Sequence, residues 1–241
     1  MSINLSASAI ADFIRCSQKV LYRRTRPFPE IKSKEMIIGT IAHLALEKAW
    51  NNRDRAYEIV RTEAKLEGLS KADKTNLEFQ MDMFFLNFSH LVGKDDLIEY
   101  YFKVPLYDDV NIVGKMDRVH QGNVYDWKTG RVANKLGNDV QCIIYSWAYK
   151  KLFEKEPISV CIAALAKGEI IPYVENKIFV NEVFDRIIPR MIKTIKNENY
   201  ERLGMFNHSC FRCSWKIGCL GKAATGSEEE AYELDSTVVP E

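Results

Sequence analysis

No run of apolar residues in this sequence approaches the ~20 that a membrane span requires. No internal repeat and no long linker divides it. The first residues, M-S-I-N-L-S-A-S-A-I-A-D-F-I-R-C, lack the order of a secretory signal, because their positive residue follows a broken apolar stretch. A cytoplasmic protein with no membrane partner is the expectation. The phosphate-cradling pattern G-x-x-x-x-G-K-[ST] is also missing, which excludes an ATP motor of that kind. An excess of charge of either sign is missing too, with 34 Lys and Arg against 33 Asp and Glu, a net +1.

That balance hides an asymmetry. Residues 222–241 hold one Lys and six acids, so the body carries 33 positive and 27 negative side chains, a net +6. A moderately basic body suits a polyanionic partner. The acidic tail is expected to be disordered. Within 241 residues, 46% hydrophobic and 28% charged, residues 1–221 read as one ordinary globular domain.

The chain begins helical. Residues 5–24 read as one helix with Ser6 or Ser8 as cap; Cys16 lies inside it, and Lys19, Arg23, Arg24 and Arg26 form a basic run. Residues 35–53 make a second, mostly apolar helix with His43 in its middle and Glu47 one turn on. Helices follow at 54–67 and 71–92; the aromatic stripe of the latter is core packing. The pattern then switches to strands at 97–107, 110–119 and 124–128, a helix at 139–153, strands at 158–166 and 171–180, and a helix at about 181–200. Helices, a strand meander, a crossover helix and more strands give an α/β core with a helical lobe.

The chemistry concentrates in I-V-G-K-M-D-R-V-H-Q-G-N-V-Y-D-W-K, residues 112–128. Two strands turn at Gln121-Gly122-Asn123. Asp117 sits near the end of the first, and D-x-K ends the second, so Asp126 and Lys128 share one face and Trp127 the other. Carboxylates from neighbouring strands can hold Mg²⁺ or Mn²⁺, which polarises a phosphodiester and activates water. The lysine orients that water or offsets developing charge. A surface Asp–Lys pair closing a hairpin is the plain alternative. A polar loop behind this stretch carries Arg131 and Lys135, candidates for positioning DNA, and Gln141 and Tyr145 share a face of the next helix.

Six cysteines in a reducing compartment point to metal binding or burial. Cys210-x2-Cys213-x5-Cys219 is a metal-site spacing that needs a fourth ligand. Cys142 and Cys161 fall in apolar patterns and read as small buried hydrophobes, leaving Cys16 as the better choice over His208. Four thiolates suit zinc or a 4Fe-4S cluster, and the distant fourth ligand favours the cluster.

His43, Asp117, Asp126-Trp127-Lys128 and Gln141-x3-Tyr145, enclosed by Cys16 and the C-terminal cysteines, together resemble the RecB-like branch of the PD-(D/E)XK nucleases. The resemblance is to the iron–sulfur exonuclease subgroup, which includes the CRISPR-associated spacer-trimming exonuclease, and it covers residues 5–221. It implies a restriction-endonuclease-like core, a mixed central sheet flanked by helices, with the cluster joining the chain ends. It implies His43, Asp117, Asp126 and the Trp127 carbonyl as ligands of one or two Mg²⁺ or Mn²⁺ ions, and Lys128 as the catalytic lysine. Cys16, Cys210, Cys213 and Cys219 become the iron–sulfur ligands, and Gln141 and Tyr145 position DNA. The M-D at 116–117 departs slightly from the family's P-D. Glu99, on the strand before the hairpin, is a secondary candidate for an accessory acid, and Glu47 has no catalytic role. The expected activity is a metal-dependent DNA exonuclease on single-stranded ends, in repair, recombination or CRISPR spacer processing, working alone or with a separate helicase or integrase complex. A non-catalytic DNA-binding or assembly module, and a redox sensor built on the cluster, are the rivals.

Overall fold

A computed structural model describes residues 2–27, 30–130, 135–202, 210 and 213–220, with backbone alone at 135, 217 and 220. The chain divides into two compact units, Met1–Ala11 with Lys34–Pro189, and Asp12–Ser33 with Arg190–Glu241. No helix of the described residues is long and apolar enough to cross a membrane.

The first unit holds a six-stranded mixed sheet. It is built from β1 (Ile3–Ser6), β2 (Leu97–Tyr107), β3 (Val110–His120), β4 (Asn123–Lys128), β5 (Ser159–Ala164) and β6 (Glu169–Pro172). β1 runs parallel to β3, β2 and β4 antiparallel to it, β5 parallel to β4, and β6 antiparallel to β5. The β3–β4 turn works because Gln121 and Gly122 both take positive φ, 46° and 84°. A two-residue hairpin with the sheet's twist needs that combination.

β3 has a divided edge. β2 pairs with it over nearly its whole length, so β1 and β4 must share the other side. β1 covers Val110–Val113 and β4 covers Arg118–His120. Residues 114–117 lie between the two. There the Tyr145 hydroxyl donates to the Lys115 carbonyl at 2.5 Å, supplying a partner that a neighbouring strand would otherwise give.

The helical lobe comprises α3 (Lys34–Ala49), α4 (Arg53–Leu66) and α5 (Lys71–Asn87), and a single 3₁₀ turn, Ser89–Leu91, follows it. Asn52 caps α4, and Ser70 with Asp73 forms a reciprocal capping box on α5. Leu77, Met81 and Phe84 of α5, with Phe88 just past its end, are buried against Tyr125, Trp127, Cys161 and Ala163 of the sheet. Trp127 meets Phe84 edge-on at 5.4 Å and lies parallel to Tyr125.

The opening helix is corrected by the structure. Ile3–Ser6 is a strand with Ile3 and Leu5 buried, a period of two too short to stand out in the sequence. Ser6 then caps α1 (Ala7–Arg15), accepting from the Ala9 amide. Cys16 breaks the helix with extended backbone before α2 (Ser17–Thr25). The helix expected at 181 starts earlier, as α7 (Lys177–Asn181), because Asn176 caps it. It continues through a π turn, Glu182–Ile187, into α8 (Ile188–Lys196). The crossover helix α6 runs from Lys135 to Phe153. In the second unit a short α9 (Lys216–Leu220) carries Cys219.

Candidate active site

The site forms at the open stretch of β3. The β3–β4 ladder ends at Arg118 and Tyr125, and just beyond it Asp117 and Asp126 stay close enough for each charge to act on the other. The β2–β3 register, Ile98 with Arg118 and Tyr100 with Met116, sets Glu99 opposite Asp117. Three carboxylates therefore lie in one row across β2, β3 and β4. Glu99 takes φ +48°, and the β2–β3 ladder skips it. That left-handed conformation costs a non-glycine residue roughly 1–3 kcal/mol, the kind of strain concentrated at functional positions.

Opposed like charges repel, and the structure shows what offsets them. His43, delivered by α3, sets Nδ1 3.4 Å from Asp117 and 3.6 Å from Glu99. Its Nε2 lies 2.9 Å from the Trp127 carbonyl oxygen, which accepts from it. Burial alone would lower this imidazole's pKa, but Asp117, Glu99 and Asp126 hold it well above the ordinary histidine value. Both ring nitrogens then donate. Lys115 pairs with Glu99 from the other side.

Asp126 is fully buried. Burial, and then Asp117, push its carboxyl up to about 6, against the opposing pull of Lys128. The Lys128 ammonium lies 2.7 Å from Asp126 Oδ2. Burial disfavours its charge, yet Asp126 keeps its pKa above the usual lysine value. Gln141 locks this pair in place. Its Nε2 donates to Asp126 at 2.6 Å and to the Tyr145 hydroxyl at 2.7 Å, while its Oε1 accepts from Lys128 at 2.9 Å. Both amide hydrogens donate and the oxygen accepts, so the orientation of that amide is fixed by its neighbours.

The core supports the polar row. With the Trp127 ring clamped by Phe84, Phe88 and Tyr125, its backbone is held still. The Trp127 amide donates to Asp117 Oδ2 at 2.8 Å, and its carbonyl serves His43. Buried hydrophobic packing thus fixes the polar groups of one strand residue against an acid and a base.

His43, Asp117, Asp126, Trp127, Lys128, Gln141 and Tyr145 are brought together in the first unit. Arg131 lies outside the described residues, as does the side chain of Lys135. Glu47 is exposed on α3. Glu99 is the residue the sequence reading offered only as a secondary, accessory acid. Its ligand atom, with those of His43 and Asp117, falls within a 4.8 Å group. The sequence signal was slight: one acid between Ile98 and Tyr100 in an apolar strand.

Cys16, Cys210, Cys213 and Cys219 belong to the second unit. Cys16 is buried at the break between α1 and α2. The Cys213 amide bonds the Cys210 carbonyl, and the Cys219 amide bonds that of Trp215. Burial first, then the neighbouring Cys16 and Cys219 thiols, raise the Cys210 thiol. The Cys210 and Cys213 thiols are each raised by burial and in part by those of Cys16 and Cys219. Tyr22 shares a hydrogen bond with the Cys219 thiol and packs its ring 6.1 Å from Trp215. Cys142 and Cys161 are buried in the first unit, and burial pushes the Cys142 thiol up to about 12.

The sequence matches the PD-(D/E)XK nuclease superfamily over residues 4–220. The chain belongs to that superfamily. The fold agrees with a solved structure from Eubacterium rectale, named "Putative exonuclease", at a TM-score of 0.63 and 14% identity, over 83% of this chain and 84% of that one. No curated protein matches the sequence significantly. Here Asp117 lies near the end of β3, and Asp126 and Lys128 near the end of the adjacent β4, in a mixed sheet.

The donor set fits a divalent metal. Imidazole and carboxylate oxygens suit Mg²⁺ or Mn²⁺. The same acids that hold a proton on His43 would hold a cation in that proton's place.

Proposed function

We propose that this PD-(D/E)XK nuclease is a Mg²⁺- or Mn²⁺-dependent deoxyribonuclease that removes nucleotides from free single-stranded DNA ends. The observation that carries this reading is the row Glu99–Asp117–Asp126 with Lys128 fixed beside it. His43, Glu99 and Asp117 would hold an ion, with Asp126 and the Trp127 carbonyl as further donors. When bound, it polarises the phosphodiester and makes water nucleophilic near neutral pH. Lys128, kept protonated by Asp126, donates to the attacking water or to a phosphate oxygen gaining charge. Gln141 positions Lys128, and Tyr145 fixes Gln141 against the edge of the sheet.

Cys16, Cys210, Cys213 and Cys219 would hold a 4Fe-4S cluster in a structural role within the second unit. Cys210 and Cys213 each lie near Cys16 and Cys219, and four thiolates are the donor set such a cluster takes. Of the nearby basic run, Lys19 and Arg23 pair with buried Asp12, while Arg24 and Arg26 stay exposed. Without a motor motif, the protein would act on strands freed by other means, such as a separate helicase, or within an integrase complex.

Linear and covalently closed single-stranded circles of one sequence, each incubated with Mn²⁺, test the assignment. Loss of the linear form alone establishes an exonuclease, and the end that loses its label first gives the polarity. Cleavage of the circle would instead make the protein an endonuclease. Binding of both without cleavage would make it a DNA-binding module.

A further inference from the structure

The sheet is not covered evenly. At the β1–β3–β2 corner one face is buried: Phe102, Val104, Ile112 and Leu5 all point inward. The opposite face is open. Tyr101, Lys103 and Pro105 of β2 are exposed, as are Lys115 of β3 and Asn4 of β1. Their registers make them neighbours. Tyr101 lies across from Lys115, Pro105 from Asn111, and Asn111 from Asn4, with the two asparagine side chains bonded at 3.2 Å.

This open face runs directly into the acid row. Lys115 stands opposite Tyr101 yet pairs with Glu99, so one cation links the exposed strip to the site. Along β2, Glu99, Tyr101 and Lys103 alternate with inward-facing residues at about 6.6–6.8 Å per two residues. That repeat is close to the span of one nucleotide in an extended strand. Tyr101 is 63% exposed, so its ring is available for stacking instead of being spent on the core. Lys115 is 53% exposed.

We propose that the exposed strip Tyr101–Lys103–Pro105 of β2, with Lys115, is the track for the single DNA strand flanking the scissile phosphate. Tyr101 stacks on a base and Lys103 and Lys115 contact phosphates. A ring and cations beside an active site are how sequence-tolerant single-strand grooves are built, since every base has a face to stack and every linkage a charge. The inference rests on the proposed nuclease reading and deepens it by naming the surface that would hold the strand.

The test is binding of a fluorescent oligothymidylate to the full-length protein in chelator, where no cleavage intervenes, followed by digestion with Mn²⁺. Tyr101→Ala should weaken binding on the order of 10-fold, whereas Tyr101→Phe should bind within twofold of wild type. Lys103→Ala should reduce the slope of log affinity against log salt by about 0.7, the value of one single-strand phosphate contact. Tyr101→Ala should leave that slope in place. In digestion, KM should rise with the loss of binding while kcat falls far less. Wild-type affinity in Tyr101→Ala, or equal weakening in Tyr101→Phe, would overturn the track. A wild-type protein that binds but does not cut would remove the nuclease reading while the binding comparison still decides the strip.

Discussion

Asp126 is a carboxyl that the fold makes uncomfortable. Burial raises it to about 6, so its contribution to metal-free stability is fully present below the ordinary carboxylate pKa and is lost as pH rises through 6. His43 is raised as well, and its contribution is present below the ordinary histidine pKa and lost as pH rises past its folded value. Both groups therefore make the metal-free protein less stable toward alkaline pH. A divalent cation needs both deprotonated and binds only the folded chain. The rise in Tm produced by Mn²⁺ over chelator should be small near pH 5 and grow to several degrees by pH 8. A rise independent of pH would separate the metal from these two groups. Gln141 acts through Lys128 and Asp126. Gln141→Ala should lower kcat about 10- to 100-fold, the scale of lost outer-shell support, with KM nearly constant; steady-state kinetics measures both. At this scale the sequence was partly legible. The D-x-K spacing alone sets Asp126 and Lys128 on one face. Glu99 was legible only as a candidate accessory acid, because its place opposite Asp117 depends on the β2–β3 register and on a left-handed φ.

At the scale of elements, β3 is the organising piece, and Gly114 shows why. A Cβ there would come within 2.5 Å of the Phe102 ring, which is buried and meets Tyr145 edge-on at 6.2 Å. Gly114→Ala should cost about 1–3 kcal/mol through overpacking, read as a shift in urea midpoint. It should also lower activity, because displaced Phe102 pushes on the tyrosine that fixes Gln141. The long elements were readable from their periods: α3, α4, α5 and the β2–β3–β4 meander begin and end within a few residues of expectation. The short ones were not. β1 has four residues, and its strand identity comes from pairing with β3, 107 positions away at Ile3 and Val110. Local pattern cannot carry such a contact.

At the scale of the whole molecule, chemistry is divided between units. The acids, the lysine and the open strip all belong to the sheet unit, and the four spaced cysteines to the other. The cysteine spacing was visible in the sequence, but the grouping of Asp12–Ser33 with Arg190–Glu241 was not, since it joins segments more than 150 residues apart. Anaerobically purified protein should contain about four irons per chain. Cys213→Ala should lose iron, solubility and DNA affinity together while leaving Mn²⁺ binding at the acids intact. A soluble, fully active variant without iron would remove the structural cluster.

Hydrolysis of end-labelled single-stranded DNA by wild type beside Lys128→Ala, with Mn²⁺ and with chelator, tests the acid row and its lysine most directly. Release of label by the wild type alone, abolished by chelator and reduced at least 100-fold in the variant, is the expected result. Equal release by both proteins, or release that survives chelation, would contradict it.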